Sequence, residues 1–493
     1  MSLADQTRWL DATAQAELVA SGRVSARELT EAAIERIEAG DAVGSRPINS
    51  VVLRWFDHAR ELAAQLDDDR SMAAGAPFRG VPFLLKDLYA GYAGQTCSGG
   101  NVALKAAAPV ARADDAIVSR FTSAGLVTLG RTNSPEMGSV PVTEPVAWGP
   151  TRNPWNLDHT PGGSSGGAAA AVAAGMVAVA HASDGGGSIR IPAACCGLVG
   201  LKTSRGRITS GPGRSEAGLA VDFVVSRSVR DSARMLDALC GPGIGDAVVA
   251  PSHGAPYADQ VGYDPGPLRI GLLDHHPVDG RSIDRACTEA ARTGAAMLES
   301  LGHRVEPEFP APLSDPDFTR RFMAVWSAGR AVARDVYAAQ LGRDLTEDEL
   351  EPHNWAMAAF AAKMTATDLA RAQAAGDRFA RQTQTWWTDG WDLLVTPTLG
   401  LPPLPIGTLS STKDDPMAGS RIAAEFAPFT APYNVSGQPA ISLPLSWTES
   451  GLPVGVQLVA AYGREDLLLA VAAQLEAAHP WADQRPPHPV PPS

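Results

Sequence analysis

A chain of 493 residues with 45% hydrophobic and 19% charged residues can bury a large core and is too apolar for a disordered protein. Its formal charge of −13, with no dense Lys/Arg cluster, argues against nucleic-acid binding. Five scattered cysteines exclude a disulfide framework, and none has metal-site spacing. The first residues lack the basic-then-apolar pattern of a signal peptide, and the longest apolar run, 168–180, is too short to cross a bilayer. A cytoplasmic location, with neither membrane nor nucleic acid as partner, is therefore expected.

In chain order, Ser25-Ala-Arg-Glu28 is a capping box, followed by Leu29, Ala33, Ile34 and Ile37 at helical spacing and stopped by Gly40. After a polar loop, Val81-Pro-Phe-Leu-Leu-Lys86 reads as a buried strand ending in a lysine. A helical pattern over 114–124 followed by an apolar run at 126–129 has the rhythm of a βαβ unit. An Ala-rich helix begins near Ala168. Residues 282–390 read as mainly helical, broken by a loop at 307–316, and are expected to cover one face of the sheet. Strands return at 391–395, 440–443 and 454–459 before a last helix and a loose Pro-rich tail over 481–493. These elements predict one α/β domain over 1–480, with motifs at 80–210, built on a mixed, mostly parallel twisted sheet covered by helices on both faces.

Two Gly/Ser segments carry the chemistry: Pro161-Gly-Gly-Ser-Ser-Gly-Gly167 and Ser183-Asp-Gly-Gly-Gly-Ser-Ile-Arg-Ile-Pro192. The first opens the Ala-rich helix, so its N–H groups lie at a positive helix end. The second sets three glycines before Ser188, where positive φ angles let successive N–H groups converge as an oxyanion hole formed by Gly185, Gly186, Gly187 and Ser188. Acyl transfer also needs a base to activate the serine. The ten histidines sit in contexts suited to surfaces or loops, which leaves a lysine as candidate. A lysine base must be uncharged, and the apolar approach to Lys86 supplies the burial that favours this.

Lys86 in VPFLLKD, then GGSSGG, then SDGGGSIRIPA, with Ser188 twenty-four positions after Ser164, together resemble the amidase signature family. The resemblance runs from Thr13-Ala-Gln-Ala-Glu-Leu18 to Tyr462-Gly-Arg-Glu-Asp-Leu-Leu468 and includes Asn153-Pro-Trp155 and Asn434-Val-Ser-Gly-Gln-Pro439. It implies an amidase with Ser188 as nucleophile, Ser164 as a bridging serine on a cis peptide bond, and Lys86 as base. It further implies a cofactor-free and metal-free site, a small-molecule amide substrate and supporting roles for Ser165, Asp184 and Arg190. A homodimer is left open. Within the family, Arg152-Asn-Pro-Trp-Asn-Leu157, Trp386-Trp387 and Ala460-Ala-Tyr-Gly-Arg464 are most similar to bacterial 6-aminohexanoate cyclic-dimer hydrolases, pointing to small linear or cyclic amides. The segment around Phe322, Trp326 and Arg330 fits the relatives least; Phe322 and Trp326 are taken as pocket walls.

GGSSGG alone would read as a flexible loop, and its G-x-S-x-G frame lacks the preceding apolar strand of a nucleophile elbow. Neither glycine loop has a phosphate-cradle pattern. Cys195 and Cys196, and Trp386, Trp387 and Trp391, read as packing. Two other functional classes stay open at this level: the glutaminase-type A subunit of a tRNA-dependent amidotransferase, and a binding protein that kept the fold without catalysis.

Overall fold

The computed structural model, which describes residues 1–41, 46–212 and 218–488, pairs the apolar runs of the chain into two sheets. The smaller contains β1 (Val51–Arg54), β2 (Pro82–Lys86) and β3 (Val127–Thr132), in the order β1-β3-β2. The larger contains β4 (Val179–Asp184), β5 (Val199–Lys202), β6 (Val221–Ser226), β7 (Arg269–Leu272), β8 (Arg304–Glu306), β9 (Leu393–Pro397), β10 (Ala440–Trp447) and β11 (Pro453–Ala460). Their order is β4-β6-β5-β10-β11-β9-β7-β8. Every residue of β4, β6, β9 and β11 is buried, so both faces of the central sheet are covered. The α/β class and the mixed sheet are as expected.

The expectation of a mostly parallel sheet is corrected. Only β7 pairs in parallel within the large sheet, with β8 and β9; the other neighbours are antiparallel. Helix–strand alternation does produce parallel crossovers, but they need not be spatial neighbours. After β4, the helix Arg190–Cys196 leads into β5, and β6 then inserts between them, antiparallel to both. At the other side β10 and β11 form a hairpin across 448–452.

The capping box at Ser25 and Glu28 starts the helix Ala26–Gly40. The Ala-rich run divides: a helix spans Gly166–Ala173, Gly175 turns the chain at φ +78°, and β4 follows. This helix is made of small residues because its neighbours are close. A Cβ on Gly167 would strike the backbone of Asn133, and one on Gly166 would strike Thr143.

Of the segment expected to cover the sheet, the helix Arg285–Ser300 lies on it, against β9, β10 and β11, and the helix Ala366–Thr388 reaches it through its last turns, where Phe379, Trp386 and Trp387 share an apolar cluster with Leu394, Ala440 and Val459. The helices Phe318–Leu341, Pro352–Ala361 and Ala366–Thr388 pack chiefly on one another and form a separate layer beside the glycine loops. Trp386, Trp387 and Trp391 anchor that layer in a second apolar cluster, Trp386 and Trp391 stacking at 4.7 Å. The tail is not loose as far as it is described. Trp481 is buried and its indole N–H donates to the Arg227 carbonyl at 3.0 Å, while the His488 N–H donates to the Pro154 carbonyl. Residues 489–493 lie outside the described residues. Among the described residues no helix is long and apolar enough to cross a membrane.

Candidate active site

The small sheet delivers Lys86. It closes β2, a strand buried at every position, and its own side chain is fully buried. Lys86 Nζ hydrogen-bonds to Ser164 Oγ at 2.7 Å and to Ser183 Oγ at 3.1 Å. Ser164 follows a cis peptide bond from Gly163 and is itself buried. The amine is enclosed, with two hydroxyls within hydrogen-bond reach.

The two sheets are joined at this point. The Lys86 backbone N–H donates to His181 Nδ1 on β4 at 3.3 Å. An accepting Nδ1 carries no hydrogen, so the ring proton sits on Nε2, which faces Asp222 Oδ1 at 3.2 Å. The expectation that the histidines occupy surfaces and loops therefore fails at His181, which is fully buried against the ring of Phe121. Its position inside an alternating apolar run, Val177 to Ala182, is the signal that marks it as internal.

The large sheet delivers the glycine loop. β4 ends at Asp184, and the loop 185–189 turns into the helix Arg190–Cys196. Asp184 and Arg190 form a fully buried bidentate pair, both contacts at 3.0 Å. Burial alone would raise the Asp184 carboxyl; the charge and hydrogen bonds of Arg190, helped by Lys202 and Asn434, outweigh it and lower the group to about 2. The remaining Arg190 donors reach the Thr430 carbonyl, Gln457 Oε1 and Asn434 Oδ1. Asn434 in turn donates to the Asp184 carbonyl and carboxylate. Asp184 and Arg190 thus shape the loop from beneath.

That arrangement corrects one expected donor. The Gly187 N–H donates to Asp184 Oδ1 at 2.7 Å and the Ile189 N–H to Oδ2 at 3.2 Å, so Gly187 is spent on the carboxylate. Gly185, Gly186 and Ser188 remain as candidate oxyanion donors. Positive φ is also needed only at Gly187 (+137°), where a Cβ would come within 2.6 Å of Ile191 Cδ1. Thr430 Oγ1 donates to the Gly186 carbonyl at 2.6 Å and holds the loop from outside.

Ser188 makes no hydrogen bond to the described residues through its hydroxyl and lines a cavity of about 500 Å³ together with Gly186, Ile191, Phe322, Trp326 and Pro428. The volume lies within the range of small-molecule sites. Phe322 and Trp326 stand against the glycine loop: a Cβ on Gly185 would sit 3.1 Å from the Trp326 ring, and one on Gly186 3.2 Å from Phe322. Ser165 has a structural part, its hydroxyl donating to the Ser183 carbonyl at 3.3 Å.

Sequence reasoning missed Ser183, Thr430 and Asn434. Ser183 stands five residues before Ser188 on a strand whose end faces Lys86, a signal available in principle; Asn434 opens a segment already singled out by the resemblance, while Thr430, 240 positions from Arg190, carries no local mark. Among the described residues no three His, Cys, Asp or Glu side chains form a group that could hold a metal ion.

Comparison with known proteins follows the same geometry. Residues 28–469 match the family model described as Amidase. The chain is 44% identical over 489 residues to the 6-aminohexanoate-cyclic-dimer hydrolase of Paenarthrobacter ureafaciens, covering 97% of this chain and 96% of that protein. A solved 6-aminohexanoate cyclic dimer hydrolase complexed with substrate superposes with a TM-score of 0.92 at 43% identity, covering 97% of this chain and 99% of that one. A bacterial aryl acylamidase of the amidase signature family superposes with a TM-score of 0.84 at 28% identity, covering 97% of each chain.

Proposed function

From the premise that this chain belongs to the amidase family and is a hydrolase of carbon–nitrogen bonds, we propose that it cleaves small amides of the 6-aminohexanoate class, cyclic dimer foremost, through an acyl-Ser188 intermediate. The observation that carries this reading is the buried 2.7 Å contact between Lys86 Nζ and Ser164 Oγ, beside a cavity lined by Ser188. The named activity of the relatives supplies the substrate class. No similarity among these relatives favours the amidotransferase-subunit reading.

In the proposed reaction uncharged Lys86 takes the Ser164 hydroxyl proton as Ser164 takes that of Ser188. Ser188 Oγ then attacks the amide carbonyl. The relay closes when Ser188 Oγ turns into reach of Ser164 Oγ, since catalytic hydrogen bonds often tighten only once substrate is bound. Negative charge developing on the carbonyl oxygen meets the N–H groups of Gly185, Gly186 and Ser188; removing one such donor elsewhere costs about 3 kcal/mol. The C–N bond breaks as the proton returns through Ser164 to the leaving nitrogen. Water, deprotonated through the same pair, then attacks the acyl-Ser188 ester and frees the acid. For a cyclic diamide the first cycle opens the ring, and amine and carboxylate remain on one linear product.

The test is hydrolysis of 6-aminohexanoate cyclic dimer by the isolated chain, with p-nitroacetanilide alongside. Wild type should open the ring, and Lys86→Ala and Ser188→Ala should each abolish both reactions. Cleavage of the anilide without ring opening would overturn the substrate class while leaving the amidase intact. Substantial activity in either variant would overturn the relay.

A further inference from the structure

One wall of the cavity is a ladder of flat groups four residues apart on the helix Phe318–Leu341. Phe318 stacks on Phe322 at 6.2 Å and 17°, and Phe322 on Trp326 at 5.4 Å and 22°. The Arg330 guanidinium caps the ladder 4.5 Å from the Trp326 ring. The cavity side of this wall is the substrate site. Its other side is a second, smaller hollow of about 90 Å³ between this helix and Ala366–Thr388, with Arg205, Asp315, Arg321 and Asp377 among its walls.

Phe318 and Phe322 are the two residues that line both hollows. They are held differently. Phe318 is fixed from behind by Phe379, ring centres 5.0 Å apart. Phe322 reaches forward until its Cζ lies 3.2 Å from where a Cβ on Gly186 would stand. The rings of Phe318 and Phe322 therefore form the common wall between the nucleophile's cavity and the polar cleft, with Phe322 the part that meets the glycine loop. A compact amide fits the cavity of about 500 Å³. A linear oligoamide must place its far end somewhere, and the cleft behind Phe322 is lined with both charges that its termini would meet.

We propose that Phe322 is a specificity-determining partition. It closes the active-site cavity toward the cleft, restricting the enzyme to compact amides, and its removal joins the two hollows and admits longer linear oligoamides. This rests on the proposed amide substrate class.

The experiment compares wild type, Phe322→Ala and Phe322→Leu on p-nitroacetanilide, on 6-aminohexanoate cyclic dimer and on linear 6-aminohexanoate oligomers from dimer to hexamer. Phe322→Ala should raise kcat/KM for the tetramer and longer chains, relative to the cyclic dimer, by about tenfold or more, whereas Phe322→Leu keeps a side chain in the gap and should leave that ratio close to its wild-type value. An unchanged length profile in Phe322→Ala, with the anilide still cleaved, would overturn the partition. So would wild-type cleavage of the hexamer as fast as the dimer, or failure of both proteins on every linear oligomer. Loss of anilide cleavage in wild type would instead sink the amidase reading, and the partition with it. Loss in Phe322→Ala alone would make the ring a support of the glycine loop and overturn the partition.

Discussion

Replacing Arg190 by methionine should be among the most damaging single changes to the glycine loop. The guanidinium makes five hydrogen bonds, two of them to the fully buried Asp184 and one each to Thr430, Gln457 and Asn434. Methionine keeps the apolar volume and leaves Asp184 without its hydrogen-bonded counter-ion. Removing one partner of a buried pair costs about 3–5 kcal/mol. The acceptors on Thr430, Gln457 and Asn434 that lose their donor add to that loss. The pH dependence has a definite sign. In wild type the lowered carboxyl adds stability that is complete above its unfolded value and lost as the pH drops through about 2. In Arg190→Met burial wins and the carboxyl rises, so the folded variant prefers the protonated acid and its deficit should shrink as the pH falls from 7 toward 4. Urea unfolding followed by tryptophan fluorescence at several pH values measures both effects. Adding Asp184→Asn should recover part of the loss. A loss below about 1 kcal/mol at pH 7, or a deficit that grows on acidification, would refute the account.

Ser183→Ala removes one of the two hydroxyls on Lys86 Nζ and should lower kcat by roughly tenfold, about 1 kcal/mol, with little change in KM; an unaltered kcat would show that Ser164 alone positions the amine. Gly187→Ala forces a side chain into φ +137° and against Ile191 and Thr430, and should cost at least about a hundredfold in activity, whereas Gly185→Ala need only displace the edge of Trp326 and should keep most of it. Equal losses in steady-state assays of the two would contradict this distinction. Glu351, at the cavity wall, has a carboxyl raised to about 7, first by burial and then by Glu136 and Glu144. A raised carboxyl favours the fold below its unfolded value near 4.5 and works against it as the pH climbs through 7. Glu351→Gln should therefore melt like wild type at pH 4.5 and higher than wild type at pH 8, and the reverse order would reject the assignment.

The elements of this fold were readable where a local pattern decided them. The capping box at Ser25 and the apolar run ending at Lys86 appear at or within a residue of their expected bounds. What could not be read was who pairs with whom. Strand direction depends on where β6 inserts, and a local window over Val221–Ser226 contains nothing that distinguishes lying between β4 and β5 from lying outside them. The same holds for the tail: its prolines suggest an unpacked end, but burial of one tryptophan side chain outweighs that composition.

The candidate site divides in the same way, and the division identifies which residues carry chemistry and which carry shape. Lys86, Ser164 and Ser188, the proposed base, bridge and nucleophile, were legible because those roles demand particular residue types, here set in an apolar run and two glycine-rich segments. The parts that aim them were not. Gly187 looks identical to its neighbours in sequence, yet its N–H is turned to Asp184, a difference set by the Arg190 network whose acceptors lie up to 267 positions away. His181 carries the same lesson from the base's side. Its neutral Nδ1 accepts the backbone N–H of Lys86, so β4 holds both the amine, through Ser183, and the strand end that presents it. One strand thus holds the proposed base through Ser183, sets Asp184 beneath the glycine loop and leads toward the proposed nucleophile, Ser188.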